Sequence, residues 1–249
     1  MKKSLFLLLL FLSACASLPL LESEDLVDPD SKGRYIFDVK NKIAYKVQHD
    51  DDFIYLELKT DDKIAIQKIL RHGLYIYLDP KAGRHKDIFF NYPLTRKPGQ
   101  GEMRPRMGPG NPMNRERSFD LPFMLSSLGS EGLFSKKEMV EKVPVYSESN
   151  SFKVEISAPT SVELNYRLRI PLNEIFESRE LPQELSMGLM SGKFEIPARA
   201  GSADPSAKAS RRGGMYSGSR AGGQGLNIFS DDEIQAMSEQ ISIWFKIII

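Results

Sequence analysis

The chain has 249 residues, 41% of them hydrophobic, and its 34 lysines and arginines nearly balance 33 acidic residues. That length and apolar content support a real core in one large β domain or two small ones, and near-neutrality argues against a general nucleic-acid binder. A single cysteine forbids an intramolecular disulfide, so packing must supply the stability.

At the N-terminus Lys2 and Lys3 precede an unbroken apolar run from Leu5 to Leu12, followed by Ser13, Ala14 and Cys15. A charged start, a short apolar stretch and small residues describe a secretory signal peptide over residues 1–14. The run is shorter than the roughly 20 apolar residues that a helix needs to span a bilayer. Leu12-Ser13-Ala14-Cys15 resembles the lipobox of bacterial lipoproteins. The resemblance implies a diacylglycerol thioether on Cys15, cleavage before it and acylation of the freed amine. Each buried CH₂ adds about 0.8 kcal/mol, so two or three chains hold a protein on a membrane where one would not. By the sorting rule of enteric bacteria, Ala16 in place of Asp implies the outer membrane. The plainer alternatives are an ordinary signal peptide with a chance cysteine, or a buried N-terminal helix.

Residues 15–33 read as a lipidated start and tether, with Pro19, Glu22, Glu24, Asp25, Asp28, Pro29, Asp30 and Gly33 spread without periodicity. From residue 34 to 249 a single domain is expected. Ile43, Tyr45 and Val47, then Ile54, Leu56 and Leu58, alternate with other residues around a polar cluster at His49-Asp50-Asp51-Asp52, the pattern of a hairpin. Asp61 or Asp62 caps an expected helix over Lys63–Leu70. Leu74, Ile76 and Leu78 oppose Tyr75 and Tyr77 on the next strand, and Asp79-Pro80-Lys81-Ala82-Gly83 turns it back into Asp87–Tyr92.

Residues 99–117, rich in Gly, Pro, Met and Arg, read as an irregular insertion, and a short helix is expected near Ser135–Lys142. Strands resume at Phe152, Val154 and Ile156 and at Val162–Ile170, with one helical turn at Leu172–Phe176. Leu185–Ile196, with Gly188 and Gly192 inside, predicts a bent strand or hairpin. Residues 198–226 form a second, low-complexity insertion. Asp231–Ser238 predicts a short helix and Ile241, Ile243, Phe245 and Ile247 a closing strand. The fold class is therefore mainly β: an antiparallel, jelly-roll-like sandwich with a few short helices and two long irregular loops.

Val47–Leu56, with its aspartate-bearing turn, Gly73–Asp79, Tyr166–Leu172 and Ile243-Trp244-Phe245 together carry a further resemblance. The chain is similar over residues 34–97 and 150–249 to the sandwiches of family-nine carbohydrate-binding modules and DOMON domains. The resemblance implies the sandwich and, in those families, a sugar or haem ligand. Carbohydrate-binding members hold sugar between paired tryptophans, whereas this chain has only Trp244. Haem-binding DOMON members use a Met and a His, and nothing in the sequence fixes such a pair.

Tyr55, Tyr75, Tyr77, Phe90 and Tyr92 are the candidate ligand-binding residues, an aromatic platform for the C–H face of a sugar. A second core layer would use the same rings. The run His49–Asp52 offers oxygen ligands for Ca²⁺ but lacks EF-hand spacing and reads as a turn. The separations of His49, His72 and His85 fit no compact zinc motif. Met103, Met107 and Met113 suit copper(I), or simply populate a loop. Arg199, Lys208, Arg211, Arg212 and Arg220 outnumber Asp204 and could meet anionic lipid or polymer. No Gly-x-Ser-x-Gly is present and the one cysteine is assigned to lipid, so no enzyme, cofactor or metal is expected. The expected function is an envelope lipoprotein with a non-catalytic binding module. Its partners would be the membrane through Cys15 and a polysaccharide or an envelope protein. A structural or assembly lipoprotein and a metal- or haem-binding module are the alternatives.

Overall fold

The computed structural model describes residues 18–22, 24–25, 34–95, 119–146, 151–176, 182–193 and 231–249. Cys15, the two expected insertions and their Met and Arg clusters lie outside the described residues. In chain order the elements are β1 (Leu20–Glu22), β2 (Glu24–Asp25), β3 (Ile36–Asp38), β4 (Ile43–His49), β5 (Phe53–Thr60), α1 (Lys63–His72), β6 (Leu74–Asp79) and β7 (Ile88–Tyr92). There follow α2 (Leu121–Ser126), β8 (Glu131–Lys136), β9 (Met139–Pro144), β10 (Lys153–Ser157), β11 (Leu164–Pro171), α3 (Leu172–Ile175), β12 (Glu184–Ser191), α4 (Asp231–Ser238) and β13 (Ser242–Ile248).

These strands make a two-sheet β-sandwich. A seven-stranded sheet runs β1-β13-β12-β6-β7-β8-β9, and a six-stranded sheet runs β10-β11-β5-β4-β2, with β3 also paired to β4. Pairing is antiparallel except for β1 on β13 and β2 on β4. Period-two alternation sends Leu74, Ile76, Leu78, Phe90, Leu189 and Phe245 inward from one sheet, and Ile43, Val47, Ile54, Leu56 and Leu168 inward from the other. The faces meet at named pairs. Tyr45 stacks on Phe245 with ring centres 4.8 Å apart, and Phe90 on Phe152 at 4.8 Å. The buried Tyr166 hydroxyl donates to the Tyr92 carbonyl at 3.3 Å.

Helix α1 carries the chain from the six-stranded sheet to the seven-stranded one. The Asp62 side chain accepts from Ala65 N–H at 2.9 Å, a standard N-cap, and Gly73 ends the helix at φ 78°. Its Ile66, Ile69 and Leu70 are buried, as their spacing predicts.

Four expectations change. The helix expected near Ser135–Lys142 is instead the β8–β9 hairpin, in which Ser135 pairs with Val140 around a turn at Lys137, φ 58°. The helix of that region is α2, whose Asp120 side chain accepts from Phe123 N–H at 3.0 Å. Leu185 onward forms one regular strand through Gly188, and β11 starts at Leu164, leaving Val162 exposed. Within the stretch expected as a plain tether, β1 and β2 each join a sheet. No helix among the described residues is long and apolar enough to cross a membrane.

Candidate functional site

The outward face of the seven-stranded sheet carries a row of rings, and strand register places them. Gly188 on β12 pairs with Trp244 of β13 on one side and with Tyr77 of β6 on the other, and Tyr77 pairs with Phe89 of β7. Trp244, Gly188, Tyr77 and Phe89 therefore form one line across four strands, with Tyr75 two residues along β6. Four strands at about 4.8 Å spacing make the line about 14 Å long.

Gly188 decides how flat that line is. A Cβ at this position would lie 2.6 Å from the indole Cε2 and Cζ2 of Trp244, so the indole occupies the place of the missing side chain. It thereby reaches Tyr77, with ring centres 6.0 Å apart and planes within 16°. Tyr75 and Tyr77 are likewise near-parallel, 6.1 Å and 13° apart. Phe89 leans against both, at 5.6 Å from Tyr75 and 5.7 Å from Tyr77, with tilts of 55° and 59°. All four rings are half-buried, so a shelf of aromatic surface stays open to solvent.

Polar groups rim it. The Lys86 ammonium lies 5.3 Å from the centre of the Tyr77 ring, a cation–π contact. Asn91, paired with Tyr75, is not part of this rim: it is buried, with its Oδ1 against Gly73 and without a hydrogen-bond partner among the described residues. Burial, and then the neighbouring Tyr75, push the Tyr77 phenol above its ordinary value, so it stays a neutral donor at physiological pH. The β6–β7 turn that presents Lys86 is built on Asp79. This carboxylate accepts from the backbone N–H groups of Lys81, Gly83 and His85 at 3.0 Å each, and lies 2.8 Å from the His85 ring.

Of the five predicted platform residues, the shelf contains two, Tyr75 and Tyr77. Phe90 and Tyr92 are fully buried in the core: on β7 they share parity with Ile88, and the outward residues are Phe89 and Asn91. The Tyr92 hydroxyl donates to Gly129 C=O at 2.7 Å, the second-layer role weighed for it above. Tyr55 belongs to the outer face of the other sheet. There its hydroxyl donates to Asp50 at 2.8 Å, and burial followed by that bond pushes its pKa up to about 12. The Phe53 ring beside it lies under Arg169, 4.6 Å from the guanidinium.

Asp50 is committed to its turn. One carboxylate oxygen takes the N–H groups of Asp52 and Phe53, the other the Tyr55 hydroxyl. Among the described residues no three His, Cys, Asp or Glu side chains gather as a metal set. His49, His72 and His85 stand on β4, at the end of α1 and in the β6–β7 turn respectively.

Sequence reasoning missed Phe89 and Trp244 as shelf residues. Their signal was parity alone: Trp244 alternates with the inward Ile243 and Phe245, and Phe89 with Ile88 and Phe90. Gly188 left no local signal, because its role depends on register with two distant strands.

No protein-family model matches the chain, and no curated protein matches it in sequence. Among solved structures, it is similar to a carbohydrate-binding module of family 9 from Caldicellulosiruptor kristjanssonii in complex with glucose. Sequence identity is 11% and the TM-score 0.28, over 60% of this chain and 58% of that module's length. A likeness that loose carries over no binding residue.

Proposed function

We propose that this chain is a non-catalytic binding module whose aromatic shelf takes the apolar face of a saccharide, held at a membrane by lipid on Cys15. The carrying observation is the shelf itself: Trp244, Tyr77, Phe89 and Tyr75 touching ring to ring across the outside of a sheet, unburied by any described element. Leaving four large rings half in water forgoes apolar burial, roughly 25 cal/mol per Å². A pyranose recovers it by laying its C–H face on a ring, while its equatorial hydroxyls reach the rim at Lys86. A row about 14 Å long takes two or three consecutive residues of a glycan. For the anchor, the support is the charged start, the apolar run and Leu12-Ser13-Ala14-Cys15.

The chain supplies its own reporter, since Trp244 is its one tryptophan. A panel of soluble polysaccharides is titrated against intrinsic tryptophan emission. At least one member is expected to change it saturably. Tyr77→Ala should weaken that binding tenfold or more, about 1.4 kcal/mol. Gly188→Ala, which removes no ring but lifts the indole, should weaken it comparably. No saturable change with any glycan, from a protein that still melts cooperatively, sinks the reading.

A further inference from the structure

At one end of the sandwich, away from every shelf residue, a cavity of about 190 Å³ opens between the β3–β4 turn, α1 and the end of α4. Its wall includes Lys40 and Lys42 from the turn, Asp62 and Lys68 from α1, and Glu239 and Gln240 after α4. Two of the charges are spent on each other: Lys42 donates to Asp62 at 2.7 Å, and Asp62 also caps α1. Gln240 spends its amide N–H on Ser191 C=O at 2.8 Å. Lys68 is different. Its side chain lies nine-tenths buried, 9% exposed, and makes no hydrogen bond or ion pair among the described residues.

The stem of Lys68 is buried while its ammonium, with three donors and no protein acceptor, is left to the open cavity, where an acceptor could reach it. Facing it, Lys40 adds a second positive charge and the exposed Glu239 the one negative charge not already paired. The cavity wall therefore carries an excess of positive charge. We propose that this cavity binds a small oxyanion, a carboxylate or a phosphate group, on Lys68 with Lys40 at its rim. A lysine suits either group, because its ammonium is a point charge without the planar fork that would select one geometry. The volume exceeds what a single water needs, so the anion enters with part of its hydration.

The electrostatics agree. Burial depresses the Lys68 amine, Lys40 presses in the same direction, and Glu239 and Asp62 oppose them without restoring the ordinary value. An anion docked against it would raise it again. Binding and proton uptake are then linked, and the site tightens as pH falls toward neutrality.

The full chain, with its lysines ¹³C-dimethylated, is titrated by NMR with inorganic phosphate and separately with glucuronate at constant ionic strength. One resonance, missing from Lys68→Met, is expected to shift saturably, and its midpoint pH to rise with anion bound. A response to phosphate alone assigns a phosphate-bearing ligand, to glucuronate alone a carboxylate, and to both a general oxyanion site. Lys68→Met should bind at least tenfold more weakly, and Lys68→Arg should retain binding. Equal small shifts of all lysines, no shift, or unchanged affinity in Lys68→Met would overturn the proposal. The shelf shares no residue with this cavity, so failure here leaves the glycan reading standing, and the reverse.

Discussion

Asp79 closes β6 with a carboxylate that is 2% exposed and takes three backbone N–H groups besides its contact with the His85 ring. Burial alone would raise its pKa, but the His85 and Lys81 amides and the His85 side chain outweigh it and hold the group below its ordinary value. The native state therefore binds this proton less readily than the unfolded chain. Its contribution to stability is whole above the ordinary carboxylate range and drains away as pH falls through the lower native value. Asp79→Asn puts an amide where donors already point, and should cost about 1–3 kcal/mol in urea melts at pH 7. The same variant should lose stability less steeply than the wild type between pH 5 and 3. Parallel acid limbs in the two proteins would show that Asp79 does not carry this dependence.

At the scale of elements, α1 is pinned at its last turn. Gly73 adopts φ 78° with ψ 160°, a region open in practice only to glycine, and a Cβ there would lie 2.6 Å from the Pro93 carbonyl oxygen. Gly73→Ala should lower stability by about 1–3 kcal/mol, read as a fall in the urea midpoint with an unchanged m-value. Strands were the legible part of this chain because their signal is local. Alternation in Ile43–Val47, Leu74–Leu78 and Ile243–Ile247 identified which side chains turn inward, and Asp62 announced the helix start. The shelf was only half legible for the same reason. Ile88-Phe89-Phe90-Asn91-Tyr92 is apolar in both parities at its start, so nothing local says that Phe89 faces water and Phe90 the core. Tyr55 and Tyr75 look alike in sequence, yet β5 and β6, joined through α1, belong to opposite sheets. Ser135–Lys142 mixes charges and apolar residues without a clean period, and only its pairing made it a hairpin.

For the molecule as a whole, the two sheets present unlike surfaces to the surroundings. The seven-stranded sheet offers rings. The six-stranded sheet offers charge, where Glu57 meets Lys46 at 3.0 Å and Arg167 at 3.2 Å. The proposed binding through rings and the proposed anchor on Cys15 use different residues and can be tested separately. Cells fed labelled palmitate should incorporate it into the wild-type chain and not into Cys15→Ser, whose shelf should bind glycan unchanged. Equal labelling of both would overturn the assignment of the anchor to Cys15.

Strand β1 lies at one edge of the seven-stranded sheet, where Leu20, Leu21 and Glu22 run parallel to Lys246, Ile247 and Ile248. With lipid on Cys15, as proposed, only four residues separate it from β1, a leash of at most about 17 Å. Peeling β1 from β13 would pay out the chain as far as Glu24, where β2 holds to β4, and lengthen that leash to about 30 Å. The short parallel strand is therefore a latch on a reel. Under the proposed anchor on Cys15, the closed strand would hold the module within that short reach of its membrane, and the opened one would let it search a layer about twice as deep.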